Sequence, residues 1–286
     1  MKSRAAKNTG IGLLSLVCCL LLGCSSGKMK APNPLDLSTI DPNFIHGPQE
    51  FEKLQTLSRQ GELKAELQTN FMRKDAVRDT AMSVGARTAL AWRGEQINRM
   101  LNSQAGHLNS VFNFAGLVLS DSILPPVLLE SHNAISLDNP HSIRVADRSY
   151  QIIRQAHFVS APPTWREYLI MDETRPEAPD VSLLPSTQEE QDAWRQGIVK
   201  GWEEGLKQAE MIYQENLSRL KRDYQGMVRY RMLLAQNMVS PPQVAHRDLG
   251  ITGGGESLAV NDRTLTIRAL PSLKADSQVW KPSIAP

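Results

Sequence analysis

Hydrophobic positions recur three and four residues apart along two long stretches of the chain, and every second residue along two shorter ones. Phe51, Leu54 and Leu57, then Leu63 and Leu67, give a helical beginning from about Pro48, interrupted by Gly61. From Phe71 to Leu101 a proline-free, alanine-rich run places Val77, Ala81, Val84, Trp92 and Ile97 inward and predicts a helix of good intrinsic propensity. The longest periodic stretch lies between Thr187 and about Val239. There Trp194, Ile198, Trp202, Ala209, Ile212, Leu220, Met227 and Leu234 fall mostly at helical spacing. Gly226 is a place where this element could divide, and Pro241-Pro242 ends it. Unbroken, about 50 residues would span roughly 75 Å at 1.5 Å per residue.

Alternation takes over elsewhere. Ile143 and Val145, then Tyr150, Ile152, Ala156 and Phe158, alternate with polar neighbours around Asp147-Arg148-Ser149, which predicts a hairpin over 143–159. A second hairpin is expected over 258–268, with Asn261-Asp262-Arg263 as its turn. Pro125-Pro126 and Pro140 bracket a loop-rich passage, Leu108 to Leu129 reads as buried core, and Thr164 is a plausible N-cap for a short helix through Leu169. The fold class is therefore α+β with helix dominant. One domain covers 48–270, followed by a C-terminal tail over 271–286. The glycine-rich segment from Gly250 to Gly255 reads as a flexible loop before the second hairpin, because it lacks the lysine–hydroxyl pair of a phosphate loop.

The N-terminal run changes the picture most. Lys2, Arg4 and Lys7 precede about a dozen mostly apolar residues from Ile11 to Leu22, enough for a signal peptide and short of the roughly 20 a membrane-spanning helix needs. The run closes on Leu21-Leu22-Gly23-Cys24, which resembles the lipobox of bacterial lipoproteins. That resemblance implies cleavage before Cys24 and a covalent diacylglycerol and fatty acyl chain on it, with no other cofactor. Two or three acyl chains make a stable anchor where one would not. Cys18 and Cys19 are poorer acceptors, since Val17 and Cys18 stand where a small residue is wanted; an ordinary secretory signal cut elsewhere, or a weak N-terminal anchor helix, are the alternatives. Ser25 after the cysteine points to the outer membrane. Pro32, Pro34, Pro42 and Gly47 make 24–47 an extended tether.

Removing residues 1–23 takes three of the 32 basic residues, leaving 29 against 30 acidic ones, so no net positive charge argues for nucleic acid. Two of the three cysteines leave as well, and the third is the acylation site, so neither a disulfide nor a thiolate zinc site is expected. Six histidines (His46, His107, His132, His141, His157, His246) show no i, i+4 pairing and no H-E-x-x-H. Glu189-Glu190, Glu203-Glu204 and the basic run Arg219, Lys221, Arg222, Arg229, Arg231 read as solvated helix faces. Gly197, Gly201 and Gly205, four apart, form a side-chain-free strip where another backbone can approach closely. Two readings stay open for it: packing inside the chain, against the 71–101 helix, or contact with a partner subunit. Trp194 and Trp202 flank the strip; these five residues, with Trp165 and Tyr168, are the candidate interface.

The second half of the chain carries blocks that resemble a known family. They are Pro163–Leu169, Gly201–Ala209, Asn216–Gly226, Met238–Val244, Asp248–Gly253 and Val260–Arg263. Together they resemble the DotC family, lipoproteins of Dot/Icm type IVB secretion systems and of IncI-type plasmid conjugation. The resemblance implies a structural, non-catalytic part of an outer-membrane core complex, its body facing the periplasm. It implies a DotD-like lipoprotein and a DotH-like subunit as partners, help to the latter in reaching the outer membrane, and self-association in a ring. An envelope hydrolase, or a lipoprotein acting as chaperone or ligand-binding module, are the alternatives from other classes.

Overall fold

A computed structural model describes residues 49–58 and 71–281, which form an α+β, helix-dominant body. The lipobox around Cys24, the tether over 24–47 and the Leu63–Leu67 part of the first helical stretch lie outside the described residues. Two helices make the frame. Helix α2, Phe71–Ser103, has 33 residues, and α5, Gln188–Ala235, has 48, or roughly 72 Å at 1.5 Å per residue. Val77, Ala81, Val84, Trp92 and Ile97 of α2 are all buried, as its spacing predicts.

The two helices run parallel. Arg73 pairs with Glu190 at one end and Arg93 with Glu210 further along, so both chains advance in the same direction. Between these pairs lies the glycine strip. A Cβ on Gly197, Gly201 or Gly205 would come closer than 3.0 Å to the carbonyl oxygens of Arg78, Met82 and Ala86 respectively, each one helical turn from the last. On α2, Gly85 faces the Ile198 carbonyl at the same closeness, flanked by Ala81 and Ala89. The hydrogen in place of each Cβ points toward an α2 carbonyl, the arrangement of a weak Cα–H···O contact. Three interior glycines cost about 3 kcal/mol against alanine by helix propensity alone. The close approach offsets this by letting the flanking large side chains interlock: Trp194 and Ile198 with Val77 and Ala81, Trp202 with Ala89 and Trp92.

Helix α1, Gln49–Gln55, covers this seam. Phe51 and Leu54 pack on both clusters, Phe51 lies 5.1 Å from Trp202, and the Trp194 indole N–H donates to the Leu54 carbonyl at 2.8 Å. At the start of α5 the Thr187 hydroxyl caps the helix by accepting from the Glu190 N–H at 3.2 Å. Glu190 is buried, not solvated. Burial pushes its pKa up, but the Ser186 N–H and hydroxyl and the Arg73 guanidinium outweigh that and hold the carboxyl below its usual value.

Parallel neighbours need a long crossover, and residues 104–187 supply it. Short helix α3 (Ala105–Val111) leads into β1 (Ile123–Leu124) and a hairpin of β2 (Val127–Asn139) and β3 (Ser142–Arg154). Strand β4 (His157–Phe158) then pairs back to β1, and α4 (Trp165–Leu169) follows. Thr164 does cap α4, in a reciprocal box with Glu167. After α5 the chain makes a second hairpin, β5 (Gln243–Gly254) with β6 (Ser257–Ala269).

Both hairpins depart from the expected positions. Residues 142–154 are one strand, so Asp147-Arg148-Ser149 is no turn; the turn is at Pro140-His141, and the partner strand is the passage that reads as loop. In the second, Asn261-Asp262-Arg263 lies within β6, opposite Gly250, where the register shifts as in a bulge. The turn falls at Gly255-Glu256, where Gly255 takes φ +67. The glycine-rich segment is thus mostly strand. Proline before each first strand and glycine inside the other masked alternation that was otherwise present.

Gly226 does not divide α5. Strand β2 crosses the helix there, and a Cβ on Gly226 would meet Val127 and the Leu128 backbone within 3.0 Å. The helix ends instead in a Schellman turn: Asn237 takes φ 58, the Met238 N–H reaches the Leu233 carbonyl and the Asn237 N–H the Leu234 carbonyl. Residues 271–281 fold back over this end rather than trailing as a tail, with Leu273 bridging Val239 and the Lys281 N–H donating to Gln236.

Gly201→Ala should lower stability by about 1–3 kcal/mol in urea denaturation, because the backbones must separate. Gly106→Ala, at an exposed helical site with open space around it, should be neutral or slightly stabilising. For Glu190 the folded pKa lies below the unfolded one, so its contribution is complete at neutral pH and is lost as pH falls through the folded value. Glu190→Gln should therefore lower the melting temperature at pH 7, by an amount that shrinks as the pH is taken down through the acid range.

Candidate interaction surfaces

The residues singled out as an interface are interior. Trp194 is 0% exposed, Trp165 1% and Trp202 4%, and Gly197, Gly201 and Gly205 are pressed against α2. The open choice for the strip is thereby resolved as packing within the chain, and a partner cannot reach it without parting the two helices. Trp165 donates its indole N–H to Asn109 at 2.7 Å under α3, and Tyr168 stacks on Phe114 at 5.8 Å.

Tyr168 also borders a polar knot centred on Asp223. That carboxylate is fully buried on the apolar stripe of α5, between Leu220 and Met227, and pairs with Arg154 from the end of β3 and with Arg222 at 3.1 Å. Burial, and then the Asp223 charge, push the Tyr168 phenol up. With His157 and Arg219 these groups line an open groove of about 590 Å³. A second groove of about 430 Å³ lies between the first hairpin and the end of α5, walled by Tyr224, Val228, Met232 and Leu233. Its floor is the Glu130–Arg229 pair, 2.8 Å apart, with the Tyr150 hydroxyl on the same carboxylate. Burial would raise the Glu130 pKa, but these two donors hold it below its usual value. The basic run on α5 is therefore largely engaged: Arg222 with Asp223, Arg229 with Glu130, Arg231 with the Gly116 carbonyl, and Arg219 over the Tyr168 ring. Both knots clamp the first hairpin to α5. Tyr213, wholly buried on the same helix, has no partner for its hydroxyl among the described residues, and burial pushes its pKa up to about 12.

What the fold leaves uncovered is at the far ends of the hairpins. Cross-strand pairs Ile135–Val145 and Leu137–Ile143 put four aliphatic side chains on one face of the first, each 59–73% exposed. On the second, Ile251 pairs with Val260 and Gly253 with Leu258, putting three aliphatics on one face at 64–68% exposure. Each hairpin is a separate two-stranded sheet, and among the described residues no third strand extends either one. Two-stranded ribbons rarely stand alone in water without a packing partner. Sequence reading found Ile143 and Val145 but placed their partner strand in a loop, which hid the four-residue face. The signal was there in Ala134-Ile135-Ser136-Leu137, whose alternation mirrors that of 142–145.

Among the described residues no group of three or more His, Cys, Asp and Glu side chains is placed to hold a metal ion, and no helix is long and apolar enough to cross a membrane. Asp223→Ala should cost about 1–3 kcal/mol in urea denaturation, because it removes the buried carboxylate that ties the first hairpin to α5, while the half-exposed Arg154 and Arg222 left behind can turn to water. Ile143→Ser and Leu258→Ser, at exposed positions, should each stay within about 0.5 kcal/mol of the parent.

A family model described as type IV secretory system, conjugal DNA–protein transfer, matches residues 71–282. It spans both frame helices and both hairpins, and the chain belongs to that family. Comparison with curated proteins gives no match.

Proposed function

We propose that, within the conjugal DNA–protein transfer family of the type IV secretory system, this chain is a structural lipoprotein of the outer-membrane core complex. The observation that carries the reading is Cys24 at the end of the leader run Leu21-Leu22-Gly23, ahead of a body that belongs to a transfer-apparatus family. A diacylglycerol and fatty acyl chain on Cys24 anchor the body on the periplasmic side of the outer membrane. DotD-like and DotH-like proteins are its partners, and it assists placement of the latter. The body's role is architectural rather than catalytic: a stiff helical frame carrying two arms with exposed apolar faces suits a part that joins neighbours. Repeated heterologous contacts of this kind close into rings.

Affinity purification of the tagged, lipidated chain from detergent-solubilised outer membranes should recover DotD-like and DotH-like proteins in stoichiometric amounts by mass spectrometry. Recovery of the lipidated chain alone would overturn the scaffold reading in favour of a chaperone or binding module. Cys24→Ser should move the protein to the soluble periplasmic fraction and reduce transfer at least tenfold; undiminished transfer would remove the anchor from the mechanism.

A further inference from the structure

We propose that the arginine-lined groove beside the Asp223 knot is a docking site for an acidic segment of a partner protein, one of whose carboxylates seats among Arg154, Arg219 and Arg222. This gives the architectural reading above a contact of defined chemistry, and it rests on that reading.

The groove is assembled from three parts of the chain. Arg219 and Arg222 stand three residues apart on α5 and so share a face of that helix. Arg154 reaches the groove from the last residue of β3, and Glu167 and Tyr168 enter it from α4. Asp223, wholly buried, gives one carboxylate oxygen to Arg154 and the other to the Arg222 Nε. The knot thereby holds two of the three guanidinium groups in place, so less side-chain freedom is left to lose when an anion arrives. It does not exhaust them. Each guanidinium carries five N–H donors, and the Arg154 and Arg222 side chains remain 41% and 47% exposed. Arg219 is exposed, lies 5.5 Å from the centre of the Tyr168 ring, and has no hydrogen-bond acceptor among the described residues.

Size and charge select the ligand. At about 590 Å³ the groove has room for side chains of a peptide rather than for a small ion alone. Its three guanidinium charges stand against the carboxylates of Asp223 and Glu167, which leaves one positive charge unmatched. One further carboxylate balances it, and the flat fork of a guanidinium takes a carboxylate through two parallel N–H···O bonds. Anionic lipid and nucleic acid are drawn by clusters of about four or more basic residues, and the two carboxylates here would repel their successive phosphates. Val159, Ala161 and Pro163, between β4 and α4, add an apolar lining. The methylenes of an aspartate or glutamate and its neighbours in a peptide cover such a lining, and a phosphate chain does not.

The test is photo-crosslinking with benzoylphenylalanine at Ala161 of the full-length chain, in cells carrying the transfer apparatus. The expected product joins this chain to another protein of the apparatus through a peptide that contains Asp or Glu. Its yield should fall at least tenfold with Arg219→Glu and severalfold with Arg219→Gln, which removes the charge without reversing it. Lys200→Glu, at an exposed position of α5 outside the groove, should leave the yield unchanged. Changing the acidic residue of the captured peptide to lysine should restore the product with Arg219→Glu. Arg219→Gln should keep the parent's urea midpoint, so that its loss of product reports docking and not folding. A cross-link indifferent to Arg219, a captured peptide without an acidic residue, a cross-link to lipid, or no cross-link would overturn the docking site. If core-complex partners still co-purify in that case, membership of the apparatus stands and only this contact fails.

Discussion

The structure turns on a backbone-to-backbone contact between two parallel helices. Three carbonyl oxygens of α2, at Arg78, Met82 and Ala86, face three glycines of α5 in register, and Gly85 returns the contact from the other side. Side chains alone could have joined these helices at the usual 8–10 Å axial separation. The glycines draw them closer, and the tryptophans beside the strip then fill the grooves above and below it. The parallel direction has a further consequence. It forces a crossover of more than eighty residues between the two helices, and the first hairpin, α3 and α4 are all built in that crossover.

From this seam the remaining architecture follows along α5, which organises its length by changing partner. Its first half lies on α2, and Asp223 and Gly226 then receive the first hairpin. Asp223 holds it by charge and Gly226 admits its backbone. The Schellman turn at Asn237 releases the chain into the second hairpin, and residues 271–281 return to cover the end. Rigidity is thus concentrated in the helices and at the roots of the arms. Apolar surface without a cover is concentrated at the arms' far ends. That division suits an assembly component whose own fold does not depend on its neighbours.

Helix existence, the inward face of α2 and the α+β class were legible from periodicity, because helical spacing over thirty or more residues has few competing explanations, and the Thr164 cap from its residue type and place. The strands were half legible. Alternation in 142–145 and 258–260 was visible, but short alternating runs do not identify their partner strands, and proline and glycine pointed toward loops where the chain is paired. The interface reading of Trp194, Gly197, Gly201, Trp202 and Gly205 failed for a physical reason: a small-residue strip states that a backbone comes close, not whose backbone it is. Glu190 and Asp223 looked like solvent-facing charges within charged runs. Only their place on the buried stripe, with Leu220 and Met227 around Asp223, shows that they had to be paired. The resemblance blocks coincide with these constrained places: Gly201–Ala209 includes part of the seam and Asn216–Gly226 the Asp223 knot.

On the proposed reading the helical seam is complete in the isolated fold, and the hairpin ends are covered only in the assembly. Hydrogen–deuterium exchange of the full chain, free in detergent and within the purified complex, separates the two. Amides of 78–89 and 197–205 should be equally slow in both states, and those of 131–149 and 247–264 should slow markedly only in the complex. Fast exchange across 197–205 in the free chain, slowing on assembly, would contradict it by showing that the glycine strip is completed by a partner.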